Sequence, residues 1–495
     1  MNILFFSTVY PDRRSPTRGT YNWELCRALG RRHSVRVISP RSWLERLTSG
    51  PAVCEDMFAL AGRSDCSTTN CTRALPPQEP SVNSSNSPAV TFPLFFHLPK
   101  LFLNQLGWFL WKSVREHIGR VCREFQPEVV LSYWAHPDGE VAARTAATLG
   151  IPSAVIVGGS DVLLLTRKAG RRRRVVQALR QCDGVLCVSN GLAEAVAELG
   201  IDRQKIFTFQ QGVDPNLFRP GSRSLARRQL GIAEERQVLL WVGRMVPVKA
   251  LNVLLEAFAL ACRWNPLLHL YLLGDGPERG RVQRLVKVLQ LQERVHLVGA
   301  VEHSKTAQWY RAANATVLAS WSEGLPNVLR ESLACGTPFV STNVGSVAEI
   351  ADPGCSILVP PGNVETLADA LLRIGQEPYQ LNAAHYKPTT WDQTAEQVAV
   401  LLKQLCRQKT AEPSQESGFA GFWLTSPKPV GRKQTKQTED VAGTRKATEG
   451  VEDGLSTERL TDGPAVTVLP VVEVGSGSGN SSRALLQERT SKKNR

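Results

Sequence analysis

The chain alternates between short apolar runs and longer amphipathic stretches. NILFFS (2–7) reads as a buried strand, TYNWELCRALGRR (20–32) gathers its apolar positions on one helix face, and VRVIS (35–39) is the next strand. From about residue 44 to 91 the pattern dissolves into SDCSTTNCTRALPPQEPSVNSSNSP and similar polar sequence, which predicts a mobile insertion. An aromatic segment, 92–111, leads into a helix ending near residue 125. Alternation returns with strands at EVVLSY (128–133), SAVIVG (153–158), GVLCVS (184–189) and KIFTFQ (205–210). Helices are predicted between them at 139–149, through the arginine run 171–174, and at 190–199.

After a polar hinge, DPNLFRPGSRS, the same switching restarts. Strands QVLLWVG (237–243), LHLYLLG (268–274), RVHLVG (294–299), TVLAS (316–320), PFVST (338–342) and SILVP (356–360) alternate with helices at 249–264, 278–290, 304–313 and 364–375. This order predicts an α/β chain of two consecutive doubly wound, Rossmann-like units, 1–213 and 214–378. A helical segment, 379–407 with its helix at 390–405, follows. The tail, 411–495, has the composition of a disordered region, with VTVLPVVEV (466–474) as a local strand candidate. Ligands of such sheets bind outside the carboxyl ends of the strands, so the cleft between two facing sheets is the expected site.

Charge narrows the partners. From Ala411 onward 12 Lys/Arg face 11 Asp/Glu, so the first 410 residues carry +13 of the formal +14. A basic folded part favours phosphates, an anionic membrane surface or nucleic acid. Nucleic acid is not expected, because neither zinc-finger spacing nor an aromatic RNA-binding signature accompanies the arginines. A solvated helix face accounts for the run 171–174 as well as an anionic partner does. The cysteines, 11 in all, lie largely in apolar runs, and the pairs CSTTNC and CDGVLC lack zinc-like companions, so no metal and a reduced cytoplasmic protein are expected. No secretory signal is visible, and the most apolar stretch, 89–111, is broken by Pro, His, Lys, Asn and Gln; if it meets a membrane it lies on it.

Three strand ends carry candidate chemistry. In VGRMVPVK, Gly243 allows a tight turn and Arg244 and Lys249 emerge beside a helix start, an arrangement that suits a diphosphate, although taken alone two surface cations account for it better. In LLGDGP, Gly274 and Gly276 permit close backbone approach, as a plain turn also would. Gly19, followed by Thr20, opens an anion-receptive helix start, without the spacing of a dinucleotide-binding loop. The fourth stretch is SEGLPNVLRES. On one helix Glu323 and Glu331 would be separated by roughly 12 Å, which does not favour a glycosidase-like pair at about 5 to 9.5 Å. With Pro326 in the first helical turn, Glu323 stands before the helix and Glu331 two turns deeper. Two grips on one elongated ligand and ordinary helix-end chemistry both fit.

Together the motifs VGRMVPVK, LLGDGP, SEGLPNVLRESLACGTPFVSTNVGSVAEI and ILVPPGNVETLADAL resemble the family-4 retaining glycosyltransferases, of the GT-B fold with an E-x7-E motif, in particular those of bacterial cell-surface and exopolysaccharide synthesis. SYWAHPDG, GGSDV, CDGVLCVSNGLAEAVAELGI and QGVDPNLFRP match in the first half, and the resemblance spans about 1–407 without the insertion. It implies two domains facing across a cleft, an acceptor domain first and a donor domain second, with the helix 390–405 crossing back. It implies that Arg244 and Lys249 hold the diphosphate of a nucleotide sugar, that Glu331 takes the ribose hydroxyls, and that Glu323 contacts the sugar. The backbone of Gly324, Leu325, Pro326 and Asn327 would cradle sugar and phosphate, with Gly243, Gly274 and Gly276 lining the donor and Gly19 facing it from the other domain. The implied reaction moves a hexosyl-type unit to a hydroxyl of a glycan or lipid-linked saccharide with retention, with no cofactor beyond the nucleotide-sugar co-substrate. Location would be cytoplasmic; for the aromatic segment and the basic helices of the first domain, peripheral contact with the inner face of an anionic plasma membrane is one reading and a helix pair packed on the sheet is the other. Tyr133 stands where many members have His, and His136, three residues later, is the candidate for that role. Leu325-Pro326 replaces the commoner Phe-Gly, and Gln211 the usual Asn. A non-catalytic nucleotide-sugar binder and another GT-B enzyme, such as a phosphorylase, are the alternatives.

Overall fold

Runs of Ile, Leu, Val and Phe that are apolar on both faces become central strands of parallel sheets. The structure, a computed structural model, describes residues 1–12, 14–15, 17–48, 88–98 and 101–411. Most of the predicted insertion, the CSTTNC pair, the tail from residue 412 and its VTVLPVVEV piece lie outside the described residues. The first half contains β1 (Asn2–Phe6), β2 (Ser34–Ile38), β3 (Arg41–Ser42), β4 (Ala89–Thr91), β5 (Leu94–Phe95), β6 (Val129–Tyr133), β7 (Ser153–Val157), β8 (Gly184–Cys187) and β9 (Ile206–Thr208). Seven of these form one parallel sheet in the order β4-β2-β1-β6-β7-β8-β9, while β3 pairs with β5. The second half contains β10 (Gln237–Val242), β11 (Leu268–Leu273), β12 (Val295–Gly299), β13 (Ala315–Leu318), β14 (Phe339–Thr342) and β15 (Ser356–Val359). They form a parallel sheet in the order β12-β11-β10-β13-β14-β15. Each sheet is a doubly wound Rossmann-like sheet whose strand order reverses once, between β1 and β6 in the first and between β10 and β13 in the second.

The helices of the first half are α1 (Thr20–Gly30), α2 (Trp43–Thr48), α3 (Leu106–Phe125), α4 (Glu140–Leu149), α5 (Ser160–Leu163), α6 (Ala169–Gln181) and α7 (Asn190–Glu198). Alternation along β1 divides the core in two, as strand geometry requires. Ile3 and Phe5 pack with Leu25 and Leu29 of α1, whereas Leu4 and Phe6 pack with Leu110 and Val114 of α3 and Val141 of α4. In the second half follow α8 (Arg223–Leu230), α9 (Leu251–Cys262), α10 (Arg279–Val288), α11 (His303–Ala312), α12 (Asn327–Ala334), α13 (Val364–Arg373) and α14 (Glu377–Ala383). Residue 249 does not begin a helix, as its apolar neighbours predict; Pro247 starts a separate turn and Ala250, at φ 46°, breaks it from α9. Lys249 therefore sits in a turn at the sheet mouth.

The last described helix, α15 (Trp391–Ala411), returns to the first half. Ala395, Val398, Ala399, Leu402 and Leu405 join the core of the first sheet, and Arg31 and Arg32, just after α1, pair with Asp392 and Glu396. α14 remains in the second core through Ala383 and the nearby Tyr386, so the chain crosses back only after it. The outgoing and returning crossings lie side by side: Val213 bridges Thr390, and its N–H donates to the Thr389 carbonyl over 2.8 Å.

Candidate functional site

The reversal between β10 and β13 opens a crevice at the carboxyl ends of both strands. Gly243 and Arg244 follow β10, Ser320 and Glu323 follow β13, and the two segments are tied by the Trp321 N–H, which donates to the Val248 carbonyl over 2.8 Å. Lys249 Nζ lies 2.6 Å from Glu323 Oε1, and Ser320 Oγ donates to the same oxygen over 2.5 Å. Glu323 is buried, and Lys249 is mostly so. Desolvation makes a pair of this kind poor evidence for stability, so its position at a ligand crevice is the more informative fact. Glu323 Oε2 stands outside these bonds, and the ammonium group retains two further donors. Arg244, just after β10, is exposed.

Gly274 and Gly276 shape the shelf rather than leave it open. A Cβ on Gly274, at φ +123°, would stand 1.9 Å from the Gly243 carbonyl oxygen, and one on Gly276 would stand 2.4 Å from that of Met245. The loops after β10 and β11 thus interlock backbone to backbone, and the Met245 N–H donates to the Asp275 carbonyl over 2.9 Å.

α12 begins at Asn327, with Pro326 as an extended N-cap at ψ 111°. Glu323 stands before the helix, as expected, but Glu331 is about one turn into it rather than two, because Pro326 is an extended N-cap and not part of the first turn. The Glu331 carboxylate is clamped from α11: Oε1 lies 3.1 Å from His303 Nε2, and Tyr310 donates its hydroxyl to Oε2 over 2.9 Å. Burial opposes a charge on His303, but the bond to Glu331 and the negative charges of Glu331, Glu24 and Asp214 outweigh it and raise the imidazole above its ordinary 6.5. His303 also lines a cavity of about 1090 Å³ shared with Thr20, Glu24 and Arg27 of α1 and with Asp214. Arg244, Lys249 and Glu323 do not line that cavity. The position of the site rests on the strand reversal and the ion pair, and the cavity meets it at the Glu331–His303 contact.

Across the cleft, Gly19 holds φ +64° at the start of α1, and a Cβ there would meet the Val9 carbonyl oxygen at 2.5 Å. At the first sheet's own reversal, Asp138 joins the loops after β1 and β6. Its carboxylate accepts the Thr8 N–H at 2.8 Å, the Thr8 hydroxyl at 3.0 Å and the Ser7 hydroxyl at 3.1 Å. Burial nevertheless pushes Asp138 up to about 7 against those bonds, helped by Asp161. His136 is 1% exposed. Its Nδ1 lies 3.3 Å from an Arg171 guanidinium nitrogen, and Nε2 is 3.5 Å from Glu140 Oε2 without hydrogen-bond alignment. Burial, with Arg171 and Arg174, holds the imidazole down at about 4, so it is uncharged at neutral pH. Tyr133 is buried against Tyr21, ring centroids 4.8 Å apart.

The two halves touch through backbone. Built Cβ atoms would place Gly159 2.6 Å from Gly324 Cα and Gly324 2.7 Å from the Gly158 carbonyl oxygen. Leu325 packs on the first core. Ser189 and Ser346 hydroxyls are 2.7 Å apart, and Glu349 accepts the N–H groups of Asn190 and Gly191 at 2.9 and 2.7 Å. Sequence reasoning did not single out Ser320, His303, Tyr310, Gly159, Ser346 or Glu349. Only Ser320 carries a local signal, a hydroxyl closing an apolar strand three residues before a glutamate. The others act on residues far along the chain. Among the described residues no three His, Cys, Asp or Glu side chains converge to hold a metal ion.

Two facing Rossmann-like sheets with a final helix returning to the first define the class of GT-B glycosyltransferases. Residues 19–217 match the Glycosyltransferase Family 4 profile and residues 236–377 that of the Glycosyl transferases group 1, so the folded part carries these two glycosyltransferase domains. It is 34% identical over 239 residues to D-inositol 3-phosphate glycosyltransferase 2 of Catenulispora acidiphila, covering 46% of this chain and 55% of that protein. The corresponding glycosyltransferase of Thermomonospora curvata is 33% identical over 236 residues, covering 43% of this chain and 55% of that one. The chain thus spans about half the length of these curated relatives. Sucrose-phosphate synthase from Thermosynechococcus elongatus shares the fold, with a TM-score of 0.62 at 19% identity over 82% of this chain and all of that one. HepE of Anabaena, crystallised with UDP and glucose, gives 0.59 at 18% identity over 81% of this chain and 99% of that one.

Proposed function

We propose that this protein moves a hexosyl-type unit from a nucleoside diphosphate sugar to a hydroxyl of a glycan or lipid-linked saccharide, with the anomeric configuration retained. The observation that carries this reading is the Lys249–Glu323 pair, fixed by Ser320 at the strand reversal, with Arg244 exposed just after β10. As the bond from anomeric carbon to diphosphate breaks, its electron pair passes to the phosphate oxygen and negative charge grows there. Cations fixed in advance stabilise that charge. Lys249, held by Glu323, and Arg244 serve this purpose, and Glu323 Oε2 remains to orient the sugar hydroxyls. Glu331, turned by His303 and Tyr310, keeps lone pairs for the ribose. The acceptor oxygen bonds to the anomeric carbon on the face the diphosphate leaves, and its proton passes to a phosphate oxygen. The protein contributes position and charge. The inositol-phosphate glycosyltransferase relatives and the UDP bound by HepE support a nucleotide-sugar donor. Work in the cytoplasm, in polysaccharide synthesis, follows from the same reading.

The test is a thermal-shift screen with UDP, GDP, ADP and their sugars. At a hundred times Kd one nucleotide should stabilise the fold by about 2.7 kcal/mol, and Glu331→Ala should remove most of that shift. If no nucleotide raises Tm, the donor site is misassigned. A non-catalytic binder is the second reading, favoured by the uncharged, buried His136 and by Tyr133. It predicts no acceptor-dependent release of free nucleotide.

A further inference from the structure

On the second sheet, at the end opposite the donor crevice, two histidines meet across neighbouring strands. His269 is the second residue of β11 and His296 the second of β12, the outermost strand of that sheet. His296 lies beside Tyr271 in the register, and alternation along β11 puts His269 on the same face. Their nearest nitrogens, His269 Nδ1 and His296 Nε2, are 3.2 Å apart. The rings are held in place: His296 stacks on Tyr271 with centroids 4.4 Å apart and on His269 at 5.4 Å. Tyr271 is fixed in turn by Trp309 of α11 and by an Arg236 guanidinium nitrogen, which donates to its hydroxyl over 3.1 Å.

A nitrogen pair at this separation matches one edge of a metal's coordination shell. With Zn–N bonds of about 2.0–2.1 Å, two ligands of a tetrahedron stand roughly 3.3 Å apart. We propose that His269 and His296 together bind a divalent transition metal of the zinc, nickel or copper(II) kind, with solvent in the remaining positions. Imidazole nitrogens suit those ions, whereas magnesium and calcium take oxygen ligands. One of the two facing nitrogens carries a proton in the present contact. Because a neutral imidazole needs only one, that proton moves to the far nitrogen of its own ring, and both near nitrogens then offer lone pairs. The surroundings favour the uncharged rings this requires. Burial, with Arg236 and Arg294, holds His269 down at about 4, and burial with Arg236 lowers His296. Those arginines also oppose a bound cation, but Arg236 is engaged by Tyr271 and Arg294 by the Pro266 carbonyl at 2.8 Å. Glu235 and Glu293, exposed in the turns before β10 and β12, act on the histidines with the opposite sign.

Bound there, the metal ties an edge strand to its neighbour. β12 pairs on one side only, and its register with β11 shifts between Leu272 and Leu273, so a cross-link at its amino end supplies order that the ladder does not. Arg244 and Glu323 follow the carboxyl ends of β10 and β13, the opposite end of the sheet. The metal therefore serves the donor half's structure and not the transfer, and the proposal stands apart from the transferase reading.

Calorimetric titration of the full chain with zinc chloride at neutral pH tests it, against His269→Gln and His296→Gln. The wild type should take up one zinc per chain more than either variant, since ligation by cysteines elsewhere is common to all three. At a hundred times Kd that zinc should raise Tm by about 3 °C. Neither variant should show the rise, and magnesium should give none in any of them. In EDTA the variants should unfold cooperatively near the wild-type Tm, and His269→Asn and His296→Asn give a second replacement where glutamine disturbs the sheet. Equal uptake in all three proteins, or loss in only one of the two variants, would overturn the shared site. A wild type that binds zinc through both histidines but is stabilised by no nucleotide would keep the metal site and remove the transferase reading.

Discussion

At the scale of single residues, Glu323 and Glu331 have separate tasks that their chemistry distinguishes. Glu323 holds a cation and keeps one oxygen free, so its charge matters most when the leaving group's charge develops. Glu331 is already bonded on both oxygens from α11, as suits a fixed grip on a ground-state ligand. Glu323→Gln should therefore lower kcat by about 10²–10³-fold while the nucleotide Kd changes little. Glu331→Ala should do the reverse, weakening nucleotide binding by about 1.5–3 kcal/mol. Calorimetric titration of the stabilising nucleotide, beside steady-state rates with its sugar, separates the two. Equal loss of nucleotide affinity in both variants would remove the division of labour.

At the scale of elements, the strand–helix alternation was legible because each strand is a short apolar run closed by polar or glycine-rich sequence. QVLLWVG and LHLYLLG became β10 and β11 within a residue of their expected ends, the usual scatter of boundaries. The strand ends carrying Arg244, Lys249 and Glu323 were legible for the same reason. The clamp on Glu331 was not, since a histidine and a tyrosine on α11 look like any others until helix packing brings them to α12. Nor could periodicity show that the aromatic segment divides, with one part buried by α3 and another exposed before it. The junction of the loops after β1 and β6 was hidden likewise, and it has a pH signature. Asp138 titrates at about 7 in the fold against 3.8 as a free group. Between those values the unfolded chain has already lost the proton that the fold retains, so this group's contribution to stability falls as pH rises through that window. Asp138→Asn removes the ionisation while keeping an acceptor for the Thr8 N–H. Urea midpoints measured from pH 5 to 8 should fall more steeply for the wild type than for the variant. Parallel curves would show that Asp138 does not titrate in this range.

At the scale of the whole folded part, the chain passes between the halves twice along neighbouring segments bridged at Val213 and Thr390, the arrangement of a two-segment hinge. The contacts between the halves include the glycine backbones at Gly159 and Gly324, Leu325 packed on the first core, the Ser189–Ser346 pair, the Arg27–Asp214 ion pair and one carboxylate on a helix start. The last of these is the most separable. Ser189 caps α7 through the Leu192 N–H, so the first two free N–H groups, those of Asn190 and Gly191, are left to Glu349 from the other half. A carboxylate at a helix start contributes about 0.3–1 kcal/mol when exposed, enough to shift a balanced open–closed equilibrium two- to fivefold and far too little to affect folding of either half. Glu349→Ala should therefore leave Tm within about a degree of the wild type and enlarge the radius of gyration in small-angle scattering without nucleotide. Because a nucleotide sugar held from both halves would supply the missing attraction, saturation with the donor should bring the two scattering curves together. A variant whose free radius matches the wild type would mean that the remaining contacts, those of Gly159 with Gly324, Ser189 with Ser346 and Leu325 with the first core, hold the cleft shut without it, and that Glu349 serves only the local geometry of α7.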